Sequence, residues 1–254
     1  MSSVKLAAIQ FSPVWQRPTE NIAIIEGLLA SHQVDVIVLP EMFNTGFALN
    51  DSMAESMNGP TIQWMKNLAA ERHAAITGSL KVSDGNKIFN RLCWVMPDGE
   101  VTYYDKRHLY GKEDTVISAG NQRVMVEFKG VRFLLQTCYD LRFPVFSRNC
   151  GDYDVMINVA SWPVPRIHHW DALLTARAIE NLSYVVGVNR TGSDENGWQF
   201  SGHSQIVGPA GEALARAGDN ESEVISAEIS LEQVEATRQA LPYLSDADEF
   251  KLIL

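Results

Sequence analysis

The chain has 254 residues, 46% hydrophobic and 20% charged, enough for a core that needs neither disulfide nor metal to hold it. Its 21 basic against 31 acidic residues leave a formal charge of −10, which argues against nucleic acid or an anionic membrane as the main partner. No run approaches the ~20 apolar residues of a bilayer span, and three cysteines without a CxxC pair are expected as reduced thiols in a cytoplasmic protein.

The opening MSSVKLAAIQFSP reads as a first strand, over 4–11, rather than as a leader. Pro18 then opens a helical pattern through Leu29, with apolar residues at 22, 25, 28 and 29. VDVIVLPE (34–41) reads as a buried strand ending at Glu41, and a helix is expected over 60–73. The texture then changes. AAITGSLKV (74–82), NRLCWVM (90–96), EVTYYDK (100–106), RVMVEFK (123–129) and VRFLLQTC (131–138) are strands in quick succession, with turns at PDG (97–99) and FKG (128–130). DVMINVAS (154–161) is a further buried strand. HWDALLTARAIENL (169–182) is a helix with apolar positions 170, 173, 174 and 178. YVVGVNR (184–190), HSQIVGP (203–209) and EVISAEI (223–229) complete the strands, and LEQVEATRQ (231–239) begins as a short helix.

No linker-like stretch and no short-period repeat interrupts this order, so a single domain over 1–254 is expected. The second half roughly echoes the first. Two sheets packed together with helices outside, a four-layer αββα sandwich of the α/β class, is the architecture this order predicts.

Three predicted strands end on reactive groups: Glu41, Lys106 and Cys138. In sheets covered by helices, ligands sit beyond the carboxyl ends of strands. If the three strands are neighbours, the side chains converge at one rim. A free thiol is only a few per cent thiolate at neutral pH. A nearby carboxylate can take its proton, and an ammonium beside both can hold a developing oxyanion. Each residue also has a plain reading: Cys138 as core packing, Glu41 as a turn carboxylate, Lys106 as part of a solvated charge run. The combination is what points to hydrolysis of an unactivated C–N bond.

VLPEMFNTGF around Glu41, YDKRHLYGKED around Lys106 and QTCYDLRFP around Cys138 resemble the three signature blocks of the nitrilase superfamily, the carbon–nitrogen hydrolases, in order and in separation. The resemblance continues through NVASWP, HWDALLTARAIENLSYVVGVNR and GHSQIVGPAGE, and is closest to the ω-amidase branch. It implies the αββα fold, a homodimer, and no metal or organic cofactor. It implies Cys138 as nucleophile, Glu41 as general base, and Lys106 with the backbone N–H of Tyr139 as oxyanion donors. Glu113 matches a second glutamate that orients the substrate amide or Lys106. The implied substrate is a short dicarboxylate monoamide such as 2-oxoglutaramate. For its free carboxylate Arg142 and Arg166 are candidates, against an Arg142–Asp140 ion pair and a solvated Arg166. Phe43 and Trp162 can wall the pocket, with core packing as the alternative. Val145 departs from the glutamate that many members carry after RFP, which weakens transfer of substrate specificity.

The rivals are an amidase of the same superfamily acting on a deaminated glutathione amide or an N-carbamoyl group, and a non-catalytic binding or scaffold relative on the same fold. A Cys–His hydrolase has His108, His169 and His203 as available bases, but leaves Glu41 and Lys106 without a role. His108 is expected to brace the Lys106 loop, and His168 and His169 to lie at a helix start. No metal site is expected, since no HExxH and no zinc-spaced Cys/His pair occurs. Asp152 and Asp154 read as a solvated turn, and Cys93 and Cys150 as packing.

Overall fold

Two six-stranded mixed sheets form the centre of the computed structural model, which describes residues 3–50 and 52–254. Met1, Ser2 and Asp51, parts of the expected 1–254 domain, lie outside the described residues. In chain order the first half runs β1 (Ser3–Gln10), α1 (Pro18–Leu29), β2 (Val36–Val38), α2 (Pro60–Arg72), β3 (Ala75–Asp84), β4 (Lys87–Val95) and β5 (Val101–Asp105). The second half runs β6 (Met125–Phe128), β7 (Val131–Thr137), α3 (Pro144–Ser147), β8 (Val155–Ala160), α4 (Ile167–Asn181), β9 (Tyr184–Asn189), β10 (Thr191–Ser193), β11 (Gln199–Ser201), β12 (Gln205–Val207), β13 (Ala213–Arg216), β14 (Glu223–Ser230) and α5 (Leu231–Ala240).

The first sheet has the order β14-β1-β2-β3-β4-β5 and the second β13-β12-β9-β8-β7-β6. Each has three parallel central strands, β1, β2, β3 and β7, β8, β9, flanked by antiparallel ones. This is the echo between the halves that the element order predicts.

Strand periodicity explains the layers. Side chains alternate between faces, so a strand buried on both sides must be apolar throughout. In β1, Val4, Leu6 and Ala8 face the second sheet, where they join Phe133, Leu135, Ile157 and Val186. The intervening Ala7 and Ile9 face outward against Ile25 and Leu29 of α1 and Met65 and Ala69 of α2. In the second sheet Leu134, Met156 and Val185 face outward against Trp170, Leu174 and Ala178 of α4. The result is the αββα sandwich. Each fully buried aliphatic side chain contributes about 1.5–3 kcal/mol. Two of these outer helices end on left-handed residues, His73 (φ 52°) after α2 and Leu182 (φ 44°) after α4.

Three expectations are corrected. The strand expected to run to Glu41 stops at Val38, and Glu41 opens a turn. The short strands β10, β11 and β13 have no counterpart in the sequence reading, because TGS, QFS and ALAR lack apolar alternation. Asp154 is not solvated: it is buried and holds Arg132 and Arg238, while Asp152 pairs with Arg123. Among the described residues no helix is long and apolar enough to cross a membrane.

Candidate active site

Lys106 follows directly on β5, and its Nζ is closed in by two carboxylates. It donates to Glu41 Oε1 at 2.9 Å and to both oxygens of Glu113 at 2.9 and 2.8 Å. All three side chains are fully buried. Burial alone would lower the lysine's pKa, but Glu41 and then Glu113 outweigh it and raise its pKa above the ordinary value. Glu113 lies in a single 3₁₀ turn (Glu113–Thr115), and also accepts the Tyr110 N–H. Burial raises its pKa, with Lys106 pulling against it.

Glu41 is held from three sides. Oε1 accepts from Lys106 and from Asn90 Nδ2 at 2.7 Å, and Oε2 accepts the Ser161 N–H at 2.8 Å. Its turn is tied down by Met42, whose N–H meets Ser79 Oγ at 2.9 Å, and by Asn44, whose carbonyl accepts from Asn21 of α1.

Cys138 comes from the opposite sheet. β7 ends at Thr137, and Cys138 opens a 3₁₀ turn (Cys138–Arg142) with φ +48°, a left-handed conformation that costs a non-glycine residue strain. The turn is fixed by Asp140, a buried carboxylate that accepts from Thr137 N–H, Tyr104 Oη–H, His108 N–H and His108 Nδ1. His108 stacks on Phe143 with ring centroids 3.7 Å apart, so it does brace the Lys106 loop. Burial first, and then the Glu41 charge, push the Cys138 thiol well above its ordinary pKa; Lys106 and the Ser161 N–H pull the other way. Burial and the Glu41 charge both favour the protonated thiol over the thiolate. A thiol beside a buried carboxylate is the arrangement that general-base chemistry uses.

A cleft of about 550 Å³, counting its open mouth, leads from solvent to Cys138 and Lys106, a size suited to a small molecule. Tyr139, Arg142, Trp162 and Arg166 line it, as do Phe47 and Trp198. The Arg142 guanidinium lies 4.6 Å over the Trp162 ring. Arg166 sits between the rings of Tyr110 at 5.2 Å and Trp198 at 5.5 Å.

A family model described as carbon-nitrogen hydrolase matches residues 5–239. The chain belongs to the carbon-nitrogen hydrolases. It is 43% identical to Omega-amidase YafV of Escherichia coli K12, over 99% of this chain and 100% of that protein. It is 34% identical to 2-oxoglutaramate amidase of Bacillus subtilis 168, over 95% and 96% of the two chains. The crystal structure of a CN-hydrolase superfamily protein from Xanthomonas campestris, with an arsenic adduct in its active site, superposes with a TM-score of 0.95 at 40% identity, covering 99% and 100% of the chains.

Within this carbon-nitrogen hydrolase Glu41, Lys106, Glu113 and Cys138 come together at one place, and Tyr139, Arg142, Trp162 and Arg166 surround the cleft above them. Phe43 does not join them. It is buried in the outer layer against Leu39 and Trp64, where a Cβ on Gly78 would meet it at 2.8 Å; Phe47 takes the expected place on the cleft wall. The expected Arg142–Asp140 pair is also absent, because Asp140 is taken up by His108, Tyr104 and the Thr137 N–H. Arg142 instead reaches His169 Nδ1 at 3.1 Å. His203 lies between Asp171 and Asp219, away from the cleft lining. Cys93 is core, its thiol pushed up to about 12 by burial, but Cys150 is exposed rather than packed. Asn90, Asp140 and Ser161 were missed. For Ser161 the signal was available, as the first residue after the apolar run VMINVA.

Proposed function

We propose that this hydrolase is an ω-amidase. It converts the terminal amide of a short dicarboxylate monoamide, of the 2-oxoglutaramate kind, to acid and ammonia through a thioester on Cys138. The observation that carries this is the buried Glu41–Lys106–Glu113 cluster beside Cys138, opening on a cleft with two arginines. Among the described residues no carboxylate lies within ion-pair distance of Arg142 or Arg166. A substrate carboxylate is the partner both lack, and a planar guanidinium matches it with two parallel hydrogen bonds. Similarity to Omega-amidase YafV and to 2-oxoglutaramate amidase supports the same reading.

In this mechanism Glu41 accepts the Cys138 proton as the sulfur attacks the amide carbon. The oxyanion is held by Lys106 and by the N–H of Tyr139, which as a first-turn residue has no acceptor within its own helix. Ammonia leaves with the proton returned by Glu41. Water, activated by Glu41, then attacks the thioester and frees the acid. Glu113 holds the ammonium in place, and Trp162 and Phe47 shield the chemistry from bulk water. No metal or organic cofactor enters the scheme. The chain is read as one domain over 1–254, acting in the cytoplasm as a homodimer.

The test is ammonia release from 2-oxoglutaramate by the native protein and by Cys138→Ser. Release by the first and not the second is expected. Full turnover by the serine variant would sink the nucleophile. Turnover only of N-carbamoyl compounds or larger amides would move the substrate class.

A further inference from the structure

We propose that Asn90 is a positioning residue that commits Glu41 to receive the thiol proton on Oε2 rather than Oε1. The inference rests on the reading of Glu41 as the base for Cys138.

An ionised carboxylate oxygen has two lone-pair sites. On Oε1 both are occupied, by Asn90 Nδ2 at 2.7 Å and Lys106 Nζ at 2.9 Å. On Oε2 one is occupied, by the Ser161 N–H at 2.8 Å. The Ser161 N–H lies on the Cys138 side of the carboxylate, because Cys138 follows β7, Ser161 follows β8, and the two strands run parallel with Thr137 paired to Val159. The oxygen with a free site is therefore the one turned toward the thiol's strand end.

Asn90 is built for this task in two ways. Its side chain is fully buried on β4, and its Oδ1 has no hydrogen-bond partner among the described residues. Turning the amide over would place Oδ1 against Oε1, two acceptors face to face. The carboxylate therefore fixes the amide with its N–H₂ inward, and the orphaned Oδ1 is the consequence. Its main chain serves the same pair, because the Asn90 carbonyl accepts the Lys106 N–H at 2.9 Å. One residue thus sets both members of the Glu41–Lys106 ion pair.

The proton then has one route. The S–H bond breaks and its proton passes to Oε2. The sulfur electron pair forms the C–S bond, and the carbonyl π pair moves to oxygen. When the intermediate collapses, the C–N bond breaks and the departing nitrogen takes the proton from Oε2, leaving ammonia and the thioester. Oε1 remains bound to Asn90 and Lys106 throughout.

The experiment compares the native protein with Asn90→Ala and Asn90→Ser across pH, by ammonia release from 2-oxoglutaramate and by iodoacetamide alkylation read at the Cys138 peptide. For Asn90→Ala, kcat should fall about 10–100-fold with KM within about twofold, a share of the general-base contribution. Alkylation of Cys138 should slow by a similar factor, because the carboxylate that takes the thiol proton is no longer held in place. Asn90→Ser, which keeps a hydroxyl donor, should recover part of both, and carries the test alone if the alanine variant does not fold. A kcat and an alkylation rate that both stay within about twofold of native would overturn the proposal. If the native protein releases no ammonia, the substrate reading fails, and the alkylation limb alone still decides the role of Asn90.

Discussion

Glu113 grips Lys106 with both carboxylate oxygens, at 2.9 and 2.8 Å, whereas Glu41 reaches the same nitrogen with one. The bidentate partner fixes where the ammonium sits, and Glu41 adds one contact to it. Glu113→Gln keeps the shape but replaces one acceptor with an N–H₂ facing an ammonium. Lys106 should then shift toward Glu41, weakening both base and oxyanion donor. We expect kcat to fall about a hundredfold with KM little changed, the size of a lost oxyanion donor. Steady-state kinetics on 2-oxoglutaramate check this; a kcat within about threefold of native would show that Glu113 only fills space.

Arg166 and Arg142 share the cleft but not the same freedom. Arg142 is engaged with His169 Nδ1, while the Arg166 guanidinium lies over the rings of Tyr110 and Trp198 and has no ion-pair partner among the described residues. Arg166→Ala should therefore raise KM for 2-oxoglutaramate by about 10–100-fold, the loss of one charge-assisted pair of ~1.5–3 kcal/mol. Turnover of butyramide, which has no carboxylate, should change little. Arg142→Ala should show a smaller selective effect. Equal losses on both substrates would mean the arginines shape the cleft and do not read charge.

What the sequence made legible follows from the range of each interaction. Glu41, Lys106 and Cys138 could be found because each sits just beyond an apolar run, a local signal that sheet topology converts into proximity. Both faces of β1 and β8 are apolar, so the layered sandwich was readable too. Phe43 and Phe47 flank the same turn in one apolar motif, and only the packing of Gly78 and Trp64 decides which one is core. Asn90 gave no local sign, since its partner Glu41 lies 49 residues away; Asp140 has a local partner in the Thr137 N–H, but its tie to Tyr104 spans 36 residues. Whether a buried amide or carboxylate in such a run is structural or directs chemistry is decided by those distant contacts.

Asp140 joins the two sheets at the site. It accepts from Tyr104 and His108 on the Lys106 side and from Thr137 beside Cys138. An amide at this position has one acceptor oxygen, and its N–H₂ would face donors. Asp140→Asn should cost about 2–4 kcal/mol of stability, from the unsatisfied buried groups. It should also lower kcat more than KM, because the Lys106 loop and the Cys138 turn lose their common anchor. Thermal unfolding together with kinetics below the transition checks this; a destabilised protein with native kcat would confine Asp140 to stability.

Asp154 sets an acid limit on the fold, away from the cleft. Burial would raise its pKa, but Arg132 through hydrogen bonds and charge, with Arg238 adding charge, holds it below the ordinary 3.8. Arg238 belongs to α5, and it also bonds the carbonyls of Tyr153 and Leu182, so this carboxylate pins the last helix to the second sheet. A depressed folded-state pKa means that the unfolded chain binds the proton more readily. The stabilisation is therefore complete above 3.8 and drains away as pH falls below it toward the folded-state value. Asp154→Asn should lower stability at neutral pH by about 2 kcal/mol, one charge-assisted interaction. The gap between variant and native should close as the pH drops below that point. Denaturant titrations from neutral pH down to the acid transition measure the gap directly. A difference that stays constant across that range would mean the Asp154 charge contributes nothing and that the site is held by shape alone.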